Sequence, residues 1–431
     1  MHGTRNTAAG RTARPATARA ALAVVTTTAV LAAGGCAGGD SDLPAPLAAD
    51  ARFVGVADDA RPEQPMVDAS VRLATELLDV APAGEDAVVS PLSLQLALAL
   101  LREGATGTPA AEIDAAAGLP GSQAVADLRA LLAQYEGDVA GIDPDEPPEV
   151  PLLHVADSAF VQQDFGVVPA FLERVAAYHD AEVYEVDFRT GDPKPALDAW
   201  VAEETGGLLT ECPAPTTPQT RVVLMDAVTF GATWASPFAA ENTADGPFTR
   251  ADGTSVQVPL MHQTTVVPYA EGDGWVAVEL PYTEGFAMRL VLPDAGALAA
   301  DAWAQAHAAL SRASGTEVLL TLPSWTTDTT LALTEALAEL GLGSLREPDG
   351  DLDGVFPDAF VSAIAQGATI TVAEKGTVAA AVTAISLDAG AAPTQPLEVR
   401  FDRPFEYQVV HSGTGLVLFA GRVADPSDAE D

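Results

Sequence analysis

The segment Glu374-Lys375-Gly376-Thr377-Val378-Ala379-Ala380-Ala381-Val382-Thr383 reads as a strand from which most of the side chain has been removed. Thr and Val favour the pleated backbone, whereas Ala packs poorly in a fixed, half-buried strand. The pattern fits a segment that waits as an exposed loop and later slides between two existing strands, where every side chain must pass packed neighbours. At the strand period of two, Thr377, Ala379, Ala381 and Thr383 share one face and Val378, Ala380, Val382 and Ala384 the other, and neither face is charged. Gly376 is the expected pivot, because glycine accepts backbone angles that other residues avoid. An Ala-rich helix or linker is the alternative, and the decapeptide by itself leaves it open.

The rest of the chain narrows the choice. With 48% hydrophobic and 19% charged residues over 431 positions, the composition is that of a folded protein and leaves ample chain for a core. A net charge of −40, with Lys194 and Lys375 as the lysines, excludes nucleic acid as a partner, since phosphates call for Lys and Arg. An anionic membrane surface would also repel such a chain. The carboxylates keep the surface soluble, and steering of a basic partner is the lesser reading.

Residues 1–35 form a separate object. Arg5, Arg11, Arg14 and Arg19 precede an uncharged run over 20–33 that is too short to span a bilayer and ends in Leu31-Ala32-Ala33-Gly34-Gly35-Cys36. This resembles a bacterial lipoprotein signal peptide, apart from Ala33 at the place where an aliphatic residue is usual. The expectation is an exported, extracellular protein held to the outer face of the cell membrane through a lipidated Cys36, with simple secretion as the alternative. Acylation of Cys36 would leave Cys212 without a disulfide partner. Residues 36–65 read as a flexible, acidic, Pro-rich linker, and 427–431 as an acidic tail.

Between them, 66–426 read as a single α+β domain. Helix signals fall at 70–78, 92–101 (opened by Ser90-Pro91), from Thr108, at 169–178, 298–311 and 331–340. Strand signals fall at 155–161, 181–188, 222–230, 254–263, 275–280, 287–292, 318–322 and 368–373, and Ser412-Gly413-Thr414-Gly415 marks a hairpin between 407–410 and 416–419. Helices first and strands later, without strict β-α-β alternation, favour α+β over a doubly wound sheet.

Over this span the chain resembles a serpin. Val88-Val89-Ser90-Pro91-Leu92-Ser93 is similar to the start of that family's central buried helix. Leu197-Asp198-Ala199-Trp200-Val201 with Thr205-Gly206-Gly207-Leu208-Leu209 is similar to its N-x-W-V…T-x-G-x-I helix end. Val223 to Phe230, Trp234 and Pro237-Phe238 resemble the strand and tryptophan at the top of its main sheet. Val278-Glu279-Leu280-Pro281-Tyr282, Met288-Arg289-Leu290-Val291-Leu292-Pro293, Phe401-Asp402-Arg403-Pro404-Phe405 and Leu418-Phe419-Ala420-Gly421-Arg422-Val423 follow in the family's order. The resemblance implies a large mixed or antiparallel central sheet with further sheets, eight or nine helices and an exposed reactive-centre loop. It also implies a monomeric suicide inhibitor, without cofactor or metal and not an enzyme, that ends in a covalent complex with a serine or cysteine protease when its cut loop inserts into the sheet.

Counting forward from Gly376 by the family's spacing puts the scissile bond at Gly390-Ala391. Counting back from Glu398-Val399-Arg400-Phe401 puts it near Pro393-Thr394, so Leu387, Asp388, Ala389, Ala392 and Pro393 stay in play. This small, apolar bait suits a subtilisin- or elastase-like protease. Ser90, Ser93, Asp226, Trp234 and Gln366 fall in the sheet-opening region. There the chain has Asp226 and Asp86 where the family commonly has Asn, and Gln366 in place of a histidine, with an amide able to donate and accept. Ser324 replaces a lysine that often pairs with the hinge glutamate, here Glu374.

Two other functions come from different classes. A non-inhibitory serpin acting as a surface binding protein would be cut without being stabilised. A secreted hydrolase lipoprotein would need a base beside Ser90 or Ser93, yet no G-x-S-x-G or S-x-x-K surrounds them. Asp349, Asp351 and Asp353 copy half a calcium loop, but position twelve is Phe360. They are expected to form a solvated turn.

Overall fold

Helix α2 (Pro91–Arg102) shows how local chemistry starts an element: Pro91 occupies its first turn, and Ser90 caps it by accepting from the Ser93 N–H at 3.2 Å. Every residue from Pro91 to Leu101 is buried, as expected of a helix apolar all round. The computed structural model describes residues 43–47, 49, 51–55, 61–140, 142–143, 146–299, 301–347, 351–377 and 396–428. The expected signal peptide with Cys36, the expected hinge residues 378–383 (Val378, Ala379, Ala380, Ala381, Val382, Thr383) and the reactive-bond candidates Leu387, Asp388, Ala389, Gly390, Ala391, Ala392 and Pro393 lie outside them.

The other helices are α1 (Gln64–Val80), α3 (Gly107–Ala117), α4 (Ser122–Leu132), α5 (Pro169–Tyr178), α6 (Lys194–Glu204) and α7 (Ala302–Leu310). None of the described helices is long and apolar enough to cross a membrane. One sheet has six strands in the order β10 (Trp325–Ala332), β11 (Ala365–Ala373), β12 (Gly376–Thr377), β4 (Val222–Thr233), β2 (Leu152–Gln162), β3 (Glu182–Val186). In it β2 and β3 run parallel and the remaining pairs antiparallel. The other sheet has nine strands. Its path is β1 (Ala87–Val89), β15 (Val417–Val423), β14 (Phe405–His411), β8 (Phe286–Pro293), β7 (Trp275–Pro281), β6 (Ser255–Gly272), β9 (Gly315–Pro323), β13 (Leu397–Arg400), with β5 (Thr243–Thr249) on β6.

Helix α2 lies against β4 and β15, so it separates the two sheets, and Leu92 and Leu96 join Phe230 and Leu418 in one core. The opposite face of the six-stranded sheet is covered by α6, where Leu197 and Trp200 pack on Phe160, Val223 and Met225. The mixed α+β architecture agrees with the reading of the sequence. The described residues hold seven α-helices and four short 3-10 turns, where eight or nine helices were expected.

The helix expected over 331–340 does not form. Leu331 and Ala332 close β10, paired with Gln366 and Ala365, and the stretch after Thr334 is a series of turns held by bonds such as Leu342 N to Leu337 O. Strand β10 escaped notice because its inward positions include Thr327, and its outward ones, Thr326 and Asp328, are polar. The 36–65 stretch also differs from a spacer where it is described. Leu47 N donates to Val183 O and Val54 N to Ala177 O, while Leu43 and Leu47 pack on the core.

Candidate functional site: a slot in the six-stranded sheet

The hinge residues already occupy the sheet at one end. Thr377 pairs with Ala232 of β4 on one side and Val372 of β11 on the other, and Gly376 pairs with Thr233 and Ala373. Beyond Thr377, the described residues show backbone pairing across this gap only at the parallel bridge between Val223 of β4 and Ala363, just before β11. A cavity of about 400 Å³ lies along this gap, lined by 224–230 of β4, 367–371 of β11, and Trp200 and Val201 of α6. Alternate peptide groups of a strand point to each edge, so both lips present backbone donors and acceptors to the gap. At a strand spacing of roughly 4.8 Å, the gap tapers from two spacings at Thr377 to one at the bridge.

At the wide end the fit is steric. A Cβ on Gly376 would stand 2.3 Å from Ala232 O and 2.8 Å from Thr233 Cα, so only glycine fits between the strands. Gly376 is therefore demanded by close approach; it is absent from the glycines at positive φ, and the pivot role expected from its angles is not what this conformation uses. Thr377 is buried and shares a 2.7 Å hydrogen bond with the Tyr282 hydroxyl. Burial holds that hydroxyl far above the ordinary tyrosine range, so it stays protonated. Tyr282 stacks on Trp234, with centroids 4.4 Å apart and planes 8° from parallel. Trp234 Nε1 donates to Ala373 O at 3.0 Å, its backbone N to Lys375 O at 2.9 Å, and Phe238 N to Glu374 O at 2.7 Å. Glu374 has no lysine partner but accepts from the Thr243 hydroxyl at 2.7 Å.

At the narrow end the fit is polar. Gln366 of β11 grips the backbone of Ser90 twice, accepting from its N–H at 2.9 Å and donating to its C=O at 2.7 Å. From β4, Asp226 accepts from the Ser93 hydroxyl. Both lips are thus tied to the first turn of α2. The Ser90 hydroxyl donates to Leu418 O at 2.7 Å and caps Ser93, so it serves structure, with no histidine beside it. Asp86 does not join this cluster: its Oδ1 accepts from Ala424 N at 2.6 Å and Asp425 N at 2.8 Å, because it sits before β1, at the far end of β15.

Three polar residues on or against β2 were missed. Arg129 of α4, almost fully buried, pairs with Asp157 of β2, which lies directly opposite Asp226. His154 of β2 lies between Glu136, on its Nδ1, and Glu204, 2.8 Å from its Nε2. Those two hydrogen bonds, Glu136 first, raise its pKa to about 9. An acid inside the apolar run Val155-Ala156-Asp157 was the available signal. Cys212, half-buried at the cavity wall, has its thiol pKa raised by burial.

The family model described as "Serpin (serine protease inhibitor)" matches residues 66–426. An uncharacterized serpin-like protein of Thermococcus kodakarensis is 30% identical over 386 residues, covering 85% of this chain and 87% of its own. Among solved structures, Serpin48 of the insect Tenebrio molitor superposes with a TM-score of 0.70 at 25% identity, over 84% of this chain and 98% of its own. Human thyroxine-binding globulin shares the fold with a TM-score of 0.71 at 22% identity, over 84% and 99%. The chain belongs to the serpin family and carries the serine protease inhibitor fold.

Proposed function

We propose that this protein is a suicide-substrate inhibitor of serine or cysteine proteases, and that the slot between β4 and β11 receives its cleaved reactive-centre loop. The observation that supports the reading best is register. Thr377 pairs with both Ala232 and Val372. Continuing that antiparallel register puts Ala379 opposite Phe230, Val382 opposite Ala227, and Thr383 between Asp226 and Gln366. The face of Thr377, Ala379, Ala381 and Thr383 then meets the tightly packed side near α2, and that of Val378, Ala380, Val382 and Ala384 the side under α6. Small inward residues suit fast passage.

In this mechanism the target's nucleophile attacks the Gly390 carbonyl, the Ala391 amine leaves, and the acyl ester is carried away as the hinge zips into the slot. Insertion satisfies the free edges of both lips, which gives the step its driving force. The bait favours a subtilisin- or elastase-like enzyme. The inhibitor acts as a monomer outside the cell, held by lipid at Cys36. A binding role without inhibition is the second reading, and it has a precedent for the fold in thyroxine-binding globulin, solved in complex with thyroxine. A secreted hydrolase is the least supported, since both serines are spent on structural bonds. Incubation with subtilisin should give an SDS-resistant complex and a new N-terminus at Ala391. Repeated cutting without complex would reject inhibition.

A further inference from the structure

The narrow end of the slot holds more acid than base. Asp226 and Asp157 are directly opposed across β4 and β2, so their side chains project to the same face. Asp226 Oδ1 takes the Ser93 hydroxyl and Asp157 Oδ2 takes Arg129, while Asp226 Oδ2 and Asp157 Oδ1 are sealed from solvent with no hydrogen-bond partner. Two acceptor oxygens on facing carboxyls, both orphaned and both buried, are what a missing proton leaves behind.

We infer that Asp226 and Asp157 share one proton, and that this proton makes the β4 lip of the slot sensitive to pH. A single guanidinium neutralises one carboxylate, and the shared proton takes care of the other while closing both orphan sites with one O–H···O bond. Burial first, then the charge of Asp157, pushes Asp226 well above the ordinary carboxylate range, with Arg129 opposing in part. Among the described residues the surroundings bring no second cation: α2 presents Ser90 and Ser93, β11 the neutral Gln366, β10 Asp328 across the cavity, and the segment after α6 Cys212. His154, three residues along β2 from Asp157, is engaged by Glu136 and Glu204.

The sign follows from proton counting. Above about pH 4 the unfolded chain has shed this proton while the folded pair keeps it. Folded-state stability from the pair is therefore complete below that value and declines as pH climbs toward the raised folded value. The other lip, held by an amide, has no such dependence. The inference concerns the resting sheet and stands whether or not a protease is trapped.

The test compares full-length wild type with Asp226→Asn, whose amide can donate to Asp157 without titrating. Thermal midpoints are measured from pH 5 to pH 8. Relative to the variant, wild type should lose about 3 °C between pH 5 and pH 7. Parallel curves would overturn the inference. A second measurement needs no variant: with [γ-13C]aspartate incorporated, one aspartyl carboxyl should keep its protonated chemical shift at pH 6. Asp-selective labelling leaves out Glu406, the other acid raised by burial. If every aspartyl carboxyl is ionised at pH 6, no proton is shared.

Discussion

Where β12 lies between β4 and β11, the contacts are steric and aromatic: a glycine with no room for a Cβ, a buried threonine, and a tryptophan stacked on a tyrosine. Farther along the same gap, the two strands are tied to α2 by Gln366 and Asp226 and to each other by the Val223–Ala363 bridge. Extending β12 past the wide end asks only for small side chains. Completing a strand asks that the bridge part and the polar ties stretch. Size therefore selects at the entrance, and hydrogen bonds resist at the far end.

Substitutions at the two ends should separate these roles. Gln366→Ala would leave the buried N–H of Ser90 unpaired, at about 1–3 kcal/mol, while the Ser90 C=O keeps its bond from Leu94 N at 3.3 Å. Denaturant titration should show the resting form losing about 2 kcal/mol, with loop cleavage still possible. Gly376→Val should act oppositely: overpacking of about 2 kcal/mol at the entrance should cut the yield of protease complex roughly thirtyfold in favour of cleaved product, read on SDS gels. Trp234→Phe keeps the stack and removes the bond to Ala373 O, a loss of about 1 kcal/mol visible in the thermal midpoint. His154→Gln should matter least. This partly exposed histidine contributes less than about 1 kcal/mol, in full below its ordinary value near pH 6.5. That contribution fades as pH rises through about 9, so variant and wild-type midpoints should converge by pH 10.

The sequence exposed the entrance better than the far end. Period-two alternation and a run of alanines marked 374–383 as a candidate inserting strand, of which Gly376–Thr377 is seen paired in the sheet, and the α+β class followed from the order of helices and strands. Gly376 was picked out for its angles, whereas its role in the sheet is to let two backbones approach; one letter carries both meanings. Thr- and Asp-containing β10 was invisible because its polar face hides the alternation, and the apolar run after it imitated a helix. Ser90, Ser93, Asp226 and Gln366 were gathered through the family resemblance. Arg129 and Asp157 come together only through strand pairing and the packing of α4 beneath the sheet, which no local pattern encodes.

The central claim is that the slot accepts the cleaved loop as a strand. Limited proteolysis within 387–393, followed by thermal unfolding of the nicked protein, tests it most directly. About ten new backbone hydrogen bonds at ~1 kcal/mol each should raise the midpoint by about 13 °C over the intact form. A nicked protein that melts where the intact one does would contradict insertion.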